Sequence, residues 1–371
     1  MKKVLIIGGA GFIGSHLAQD LIKNNYQVKV LDNLSPQVHG NISKPPAYLH
    51  PEVEFIKGDV RDAEVVESVL LDVDAVFHFA AMVGVGQSMY EVENYTSVNN
   101  CGTAVLMETL MKRPVKKLVV ASSMSIYGEG LYQNKAGRFV TAFPRNREQL
   151  REGIWELYDN NGDELMPVAT PENKQPDLSS VYALSKYDQE RLCLMLGEAY
   201  DIPTTALRFF NAYGPHQALS NPYTGVLAIF ASRFLNDNPP LIFEDGNQMR
   251  DFVHVTDVAR ACRLAMESPK VNGQVLNVGS GNNYTIKEIA EKIQVALNKS
   301  YLNPEISGKY RVGDIRHCFA DLTKAEKLIG FKPQVDLETG ILNLAEWLET
   351  QVADDKVSSM KKELEERGLT L

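Results

Sequence analysis

Short apolar runs alternate with amphipathic stretches along the first two hundred residues. The runs at 4–8, 27–32, 53–57, 75–79, 118–122 and 204–209 have the length and β-branched content of strands. Between them, residues 12–24, 94–111 and 181–198 repeat apolar positions at helical spacing. Strands that alternate with helices predict a parallel sheet covered on both faces, an α/β fold of the doubly wound, Rossmann type. The alternation breaks at about 132–176, a polar, turn-rich stretch expected to lack regular structure and to fold over one edge of the site. Beyond Asn211 the elements shorten, with a strand at 241–243, a helix near 257–267 and a strand at 275–278. Helices follow near 286–297 and 338–349. This organisation predicts a dinucleotide-binding domain over 1–211, rejoined by 250–280. A smaller substrate-binding lobe then comprises 212–249 and 281–371, and its charged tail at 354–367 is expected to be a solvated helix.

Composition narrows the partners. The 371 residues are 44% hydrophobic and 23% charged, enough for one large α/β core or two joined lobes. A net charge of −9 disfavours nucleic acid and anionic membrane, although local basic groups can still hold a phosphate. No apolar run approaches the roughly 18 residues of a membrane span, and the chain runs straight into a strand without signal-peptide architecture. The expectation is a cytoplasmic protein. Cys101, Cys193, Cys262 and Cys318 lack metal-ligand spacing and are expected to be reduced, and no metal is expected.

Candidate chemistry begins at Gly8-Gly9-Ala10-Gly11-Phe12-Ile13-Gly14, between a predicted strand and a predicted helix. Such a turn lets backbone approach a diphosphate at the positive end of the helix. Asp32 ends the second strand, 18 residues after Gly14, where a carboxylate accepts from an adenosine ribose and repels a 2′-phosphate. No arginine follows in Asn33-Leu34-Ser35, so NAD is expected rather than NADP. Asp59-Val60 is placed to cover an adenine, and Phe79-Ala80-Ala81 is small enough to admit a cofactor. A plain strand-end turn is the competing reading of the first segment, and core packing that of the second. Ser122 and Ser123 end the fifth strand, at the edge where open α/β sheets bind ligands. Tyr182 and Lys186 share a helix face one turn apart, so the ammonium can lower the phenol's pKa from about 10.

Together these residues, with Arg208-Phe209-Phe210-Asn211, Arg250-Asp251-Phe252-Val253-His254-Val255 and Asn277-Val278-Gly279, resemble the extended short-chain dehydrogenase/reductase family of nucleotide-sugar enzymes. The resemblance spans nearly the whole chain except 132–176. It implies NAD held through the turnover and a Ser123/Tyr182/Lys186 set acting at a sugar carbon. Tyr182 would be general base and then acid, Lys186 would also reach the nicotinamide ribose, and Ser123 would bond the reacting hydroxyl. Asn99 matches a position near the cofactor and Ser123, while Phe209 and Phe210 would line the nicotinamide. Asn211, Arg250, Arg311 and Asp314 match positions that hold the nucleotide diphosphate and its ribose. Cys318 matches a gate whose small side chain makes room for a bulky hexose. A homodimer is also implied, resting on the helices near 94–111 and 181–198.

Ser123-Met124-Ser125 stands where related 4,6-dehydratases resemble Thr-Asp-Glu. Dehydration needs an acid and a base beyond the tyrosine, and neither Met124 nor Ser125 moves a proton at neutral pH. Epimerisation at C4 through a 4-keto sugar is the economical alternative. The runs from Ser123 to Gly130, Trp155-Glu156-Leu157 and Leu165 to Val168 are similar to dTDP-L-rhamnose 4-epimerases, which interconvert dTDP-L-rhamnose and dTDP-6-deoxy-L-talose. Ser125 is then a further substrate contact. A UDP-glucose or UDP-N-acetylhexosamine 4-epimerase, a 4-keto reductase with the same triad, and a non-catalytic dinucleotide sensor are the other readings.

Overall fold

The computed structural model describes residues 2–142 and 144–370. Its centre is a wholly parallel sheet of β1 (Lys3–Ile7), β2 (Gln27–Asp32), β3 (Glu54–Lys57), β4 (Ala75–His78), β5 (Lys117–Ser123), β6 (Thr204–Phe209) and β7 (Gln274–Val278). The spatial order is β3-β2-β1-β4-β5-β6-β7. Its inner strands are buried on both faces, which is why Lys-Val-Leu-Ile-Ile reads as a continuous apolar run rather than an alternation. The order reverses between β1 and β4, and the crevice beyond the carboxyl ends of these strands is where such sheets bind ligands.

Helices α1 (Phe12–Lys23), α2 (Gly102–Lys112) and α3 (Val181–Ala199) flank the sheet. Leu17, Ala18 and Leu21 of α1 bury against one face, and Leu106, Met107, Leu110, Cys193 and Leu194 of α2 and α3 against the other. Helix α4 (Val226–Leu235) belongs to the smaller lobe, whereas α5 (Val255–Glu267) returns to pack beside α1. The lobe core joins Phe230 and Phe234 of α4 to Ile289 and Ile293 of α6 (Ile286–Ala296) and to Ile341 and Leu344 of α7 (Leu337–Leu348).

Two expectations need correction. The 132–176 stretch is not devoid of regular structure. It contributes Phe139–Val140 and Met166–Val168, which pair antiparallel with Leu131–Gln133 around a cluster of Tyr132, Ala142, Leu157 and Leu165. The tail is not a solvated helix either. Helix α8 (Val357–Glu366) buries Val357, Met360 and Leu364 against Leu241, with Tyr90, Tyr223 and Phe243 around them. A third element differs in detail. The run at 94–111 is broken into a short helix Val92–Tyr95, a π-helical segment Thr96–Cys101 and α2. Single π turns of this kind re-aim side chains, often at functional sites.

Candidate active site

A cleft of about 790 Å³ opens over the carboxyl ends of β1, β2, β4, β5 and β6 and continues between the two lobes. The glycine turn forms one end. Gly8 has φ +80°, and a Cβ there would stand 2.6 Å from the backbone nitrogen of Ala80. A Cβ on Gly14 would stand 2.5 Å from the Cα of Gly9, so this glycine lets α1 close onto the turn. No side chain caps the N-terminus of α1 at Gly11, and Gly11, Phe12, Ile13 and Gly14 all line the cleft. An anion is the natural cap for such an end.

Asp32 lies at the adjoining rim. Its carboxylate is held by the backbone amides of Ala10 (3.0 Å) and Leu34 (2.9 Å). His39, which the sequence did not single out, stands 3.8 Å from it, and burial keeps that imidazole's pKa below its ordinary value. Asn33 donates to Asp59 at 3.1 Å, while hydrogen bonds from Arg61 hold the Asp59 carboxyl down at about 2. Val60, Phe79, Ala80 and Ala81 line the next stretch. An uncapped helix end, a close-approach glycine and a fixed carboxylate fit a dinucleotide's diphosphate and ribose.

Ser123, Ser125, Tyr182, Lys186 and Phe209 converge on the middle of the cleft. Helix α3 carries Tyr182 and Lys186 into the cleft, and Ser180 caps its start, accepting from the amide of Ala183 at 3.1 Å. Ser125 donates to the Ser123 hydroxyl at 2.8 Å. Burial raises the Tyr182 pKa, and the influence opposing it is a hydrogen bond with Ser123. This departs from the expectation that the Lys186 charge lowers the phenol. The ammonium is instead engaged by Gln189, whose Oε1 accepts from it at 2.6 Å.

Gln189 is tied in turn to Thr103 (2.8 Å) and to His78 (3.2 Å), all of them buried. Burial lowers His78 to about 3, so it stays neutral beside the lysine, and lowers Lys186 to about 8. Below pH about 8 Lys186 is charged, and as pH rises through that value the charge is lost. The free enzyme's kcat/KM is therefore expected to fall above about pH 8. Gln189→Leu removes an acceptor that favours the charged form. The variant should move that alkaline limb lower by about one pH unit, read from a pH–rate profile beside wild type.

Some sequence-chosen residues sit elsewhere than expected. Ser122 lines the cleft, but its hydroxyl donates to Glu190 (2.6 Å), which grips Arg208 through two bonds of 2.9 and 2.7 Å. Asn99 does not reach Ser123. Its fully buried amide clamps the Met82 backbone (2.7 and 3.1 Å) and Ser185 (2.9 Å), a placement set by the π turn. Cys318 does not line the cleft. It is buried behind it with Met124, Tyr127 and Phe210, its thiol 3.8 Å from Thr170.

Asn211, Phe210, Arg250, Arg311 and Asp314 line the lobe side. Arg311 pairs with Asp314 at 2.8 Å, and Arg250 donates to the carbonyls of Met249 (2.9 Å) and Arg316 (2.8 Å). Among its described residues the 132–176 segment contributes none to the cleft and acts from behind. Its Glu156 bonds His317 (3.0 Å) and the wholly buried Arg316 (3.0 Å), whose guanidinium also meets Glu244 (3.0 Å) and Asp245 (2.6 Å). Arg145 adds a bond to Glu244 at 2.9 Å. This ionic knot fixes the loop that presents Arg311 and Asp314.

A doubly wound sheet, a diphosphate turn and a Ser/Tyr/Lys cluster in one cleft define a class: dinucleotide-dependent enzymes acting on an alcohol carbon. Comparison with known proteins agrees. Residues 5–136 match the model of GDP-mannose 4,6 dehydratase, and residues 156–279 that of the NAD dependent epimerase/dehydratase family. A dTDP-L-rhamnose 4-epimerase of Burkholderia thailandensis is 35% identical over 352 residues, covering 94% of this chain and 95% of that protein. The solved UDP-glucose 4-epimerase of Thermotoga maritima, bound to UDP-glucose, superposes with a TM-score of 0.76 at 32% identity, covering 94% of this chain and 98% of that one. The Thermus thermophilus UDP-glucose 4-epimerase in complex with NAD gives 0.74 at 30% identity, covering 94% and 100%. The chain belongs to the NAD-dependent nucleotide-sugar epimerase/dehydratase family, within the extended short-chain dehydrogenases/reductases. Its cofactor is NAD. Among the described residues, no helix is long and apolar enough to cross a membrane, and no three His, Cys, Asp or Glu side chains are grouped to hold a metal ion.

Proposed function

We propose that this protein is a nucleotide-sugar 4-epimerase whose substrates are dTDP-L-rhamnose and dTDP-6-deoxy-L-talose. The observation that carries the reading is the meeting of Ser123, Tyr182 and Lys186 in one cleft beside Met124 and Ser125, side chains that do not titrate near neutral pH. The full-length likeness to a dTDP-L-rhamnose 4-epimerase supports the choice of sugar. Similar likeness to UDP-glucose 4-epimerases supports UDP-linked hexoses as the second reading.

When bound, NAD supplies a reversible hydride acceptor for C4 of the sugar. Gly8, Gly11, Phe12, Ile13 and Gly14 would hold its diphosphate, and Asp32 its adenosine ribose. Tyr182 would take the proton of the C4 hydroxyl and later return it to the keto oxygen. Ser123 would bond that oxygen, itself oriented by Ser125. Lys186, anchored by Gln189, would reach the nicotinamide ribose. Arg250, Arg311 and Asn211 would hold the nucleotide end while the sugar turns over.

Purified protein given dTDP-L-rhamnose should form the talose isomer without added cofactor. Stoichiometric NAD(P)H consumption would instead mark a 4-keto reductase. Turnover of UDP-sugars alone would select the second reading, and no turnover across dTDP-, UDP- and GDP-sugars would overturn the reading.

The proposed enzyme is a homodimer. Leu184 and Met195, eleven residues apart on one face of α3, are each 53% exposed, and Val92 of the neighbouring helix is 47% exposed. An apolar face of this kind suits a second copy. Sedimentation should give twice the 41.3 kDa chain mass, and Leu184→Glu should shift it toward the monomer.

A further inference from the structure

Helix α8 spans the mouth of the cleft. Val357 and Met360 line its nucleotide end beside Tyr223, Phe243 and Arg311. Leu364 packs over Gly86, 3.5 Å from where a Cβ on that glycine would stand. One turn of α8 is fastened to both sides of the opening. Glu363 Oε2 accepts from the hydroxyls of Tyr90 and Tyr223, each at 3.0 Å, and those hydroxyls meet at 2.6 Å. The Arg367 guanidinium sits 4.1 Å over the Tyr90 ring and donates to Glu363 at 3.2 Å. On the lobe side Lys309 pairs with Glu365 (2.8 Å), and the Val312 amide donates to the Leu369 carbonyl (2.9 Å). Tyr90 precedes the π turn of the N-terminal domain, whereas Leu241, Phe243 and Lys309 belong to the lobe, so α8 bridges the two.

The chemistry of this end is distinctive. An apolar and aromatic wall adjoins two guanidiniums, and that of Arg311 lies 4.7 Å over the Phe243 ring. A nucleoside diphosphate has the complementary character, with a flat ring of apolar faces joined to two phosphates. A thioether adapts well to the face of such a ring.

We infer that α8 is the outer wall of the nucleobase subsite, with Val357 and Met360 against the base. Glu363 is the positioning residue that latches the helix to Tyr90 and Tyr223. The inference rests on the functional reading above and adds to it a segment that must part for the nucleotide sugar to enter. Its closure retains the 4-keto sugar until the carbon is reduced again.

The full-length holoenzyme is titrated with dTDP and with UDP by calorimetry, and backbone amide exchange is followed across 357–366 with and without nucleotide. Nucleotide should slow exchange in α8. Met360→Ala should weaken binding about tenfold, and Glu363→Gln should weaken it severalfold and speed α8 exchange. NAD content and melting should stay near wild type, showing that the variants fold. The exposed Lys362→Ala should bind as wild type does. Unchanged α8 exchange together with wild-type affinity in Met360→Ala would overturn the inference while leaving the 4-epimerase reading standing. Failure of the wild type to bind either nucleotide would overturn both.

Discussion

Tyr182→Phe should lower kcat by roughly 10²–10⁴-fold while leaving bound NAD unchanged. The substitution deletes one oxygen. The ring keeps its place, because the Tyr182 amide bonds Ser88 Oγ at 3.0 Å and the ring meets Tyr95 edge-on at 6.4 Å between centroids. What is lost is the group proposed to exchange the proton of the C4 hydroxyl. Ser123 cannot substitute, since an aliphatic hydroxyl lacks an accessible pKa. Ser123→Ala should cost less, because it removes a hydrogen bond to the reacting oxygen and not the base itself. Steady-state rates, with NAD quantified in the released ligand fraction, check both. A Phe variant that turns over as fast as wild type would show that another group moves the proton.

Glu190→Ala should destabilise the fold by about 3–5 kcal/mol, the cost of leaving one member of a buried pair alone. Arg208 is 4% exposed and Glu190 1%, so water does not take over the abandoned guanidinium. Arg208 also lies 4.7 Å over the Tyr127 ring, and Tyr127 bonds Asn277 at 2.6 Å. The pair thereby joins α3, β5, β6 and β7, and it holds the helix that carries Tyr182 and Lys186 against the sheet. Denaturant unfolding measures the loss. Activity per folded molecule should fall as well, because the helix loses its tether. Replacing both partners with apolar residues of matched size should recover part of the stability.

The strands of the main sheet were legible because burial on both faces writes them as unbroken apolar runs. The glycine turn, Asp32 and the Tyr182/Lys186 spacing were legible because each is local in sequence. What escaped was set by tertiary approach. Gln189 reads as an ordinary polar helix position, and only the fold brings His78 and Thr103 behind it. Cys318 follows the cleft-lining Ile315 by three residues, and only the pairing of His317–Cys318 with Met249–Arg250 decides where its side chain packs. The strands of 132–176 are two or three residues long, too short to show a period. Helix α8 did carry a signal in Val357, Met360 and Leu364, spaced three and four apart. The surrounding Lys361, Lys362, Glu363, Glu365 and Glu366 made the segment read as solvated.

The proposed 4-epimerisation requires that the hydrogen on C4 leave as hydride and return to the same carbon on the opposite face. The direct test supplies dTDP-L-rhamnose deuterated at C4 to the enzyme with no cofactor added and follows the sugars by NMR and mass spectrometry. The talose isomer should appear with deuterium still on C4. Loss of the label to water, or an unaltered substrate after prolonged incubation, would contradict it.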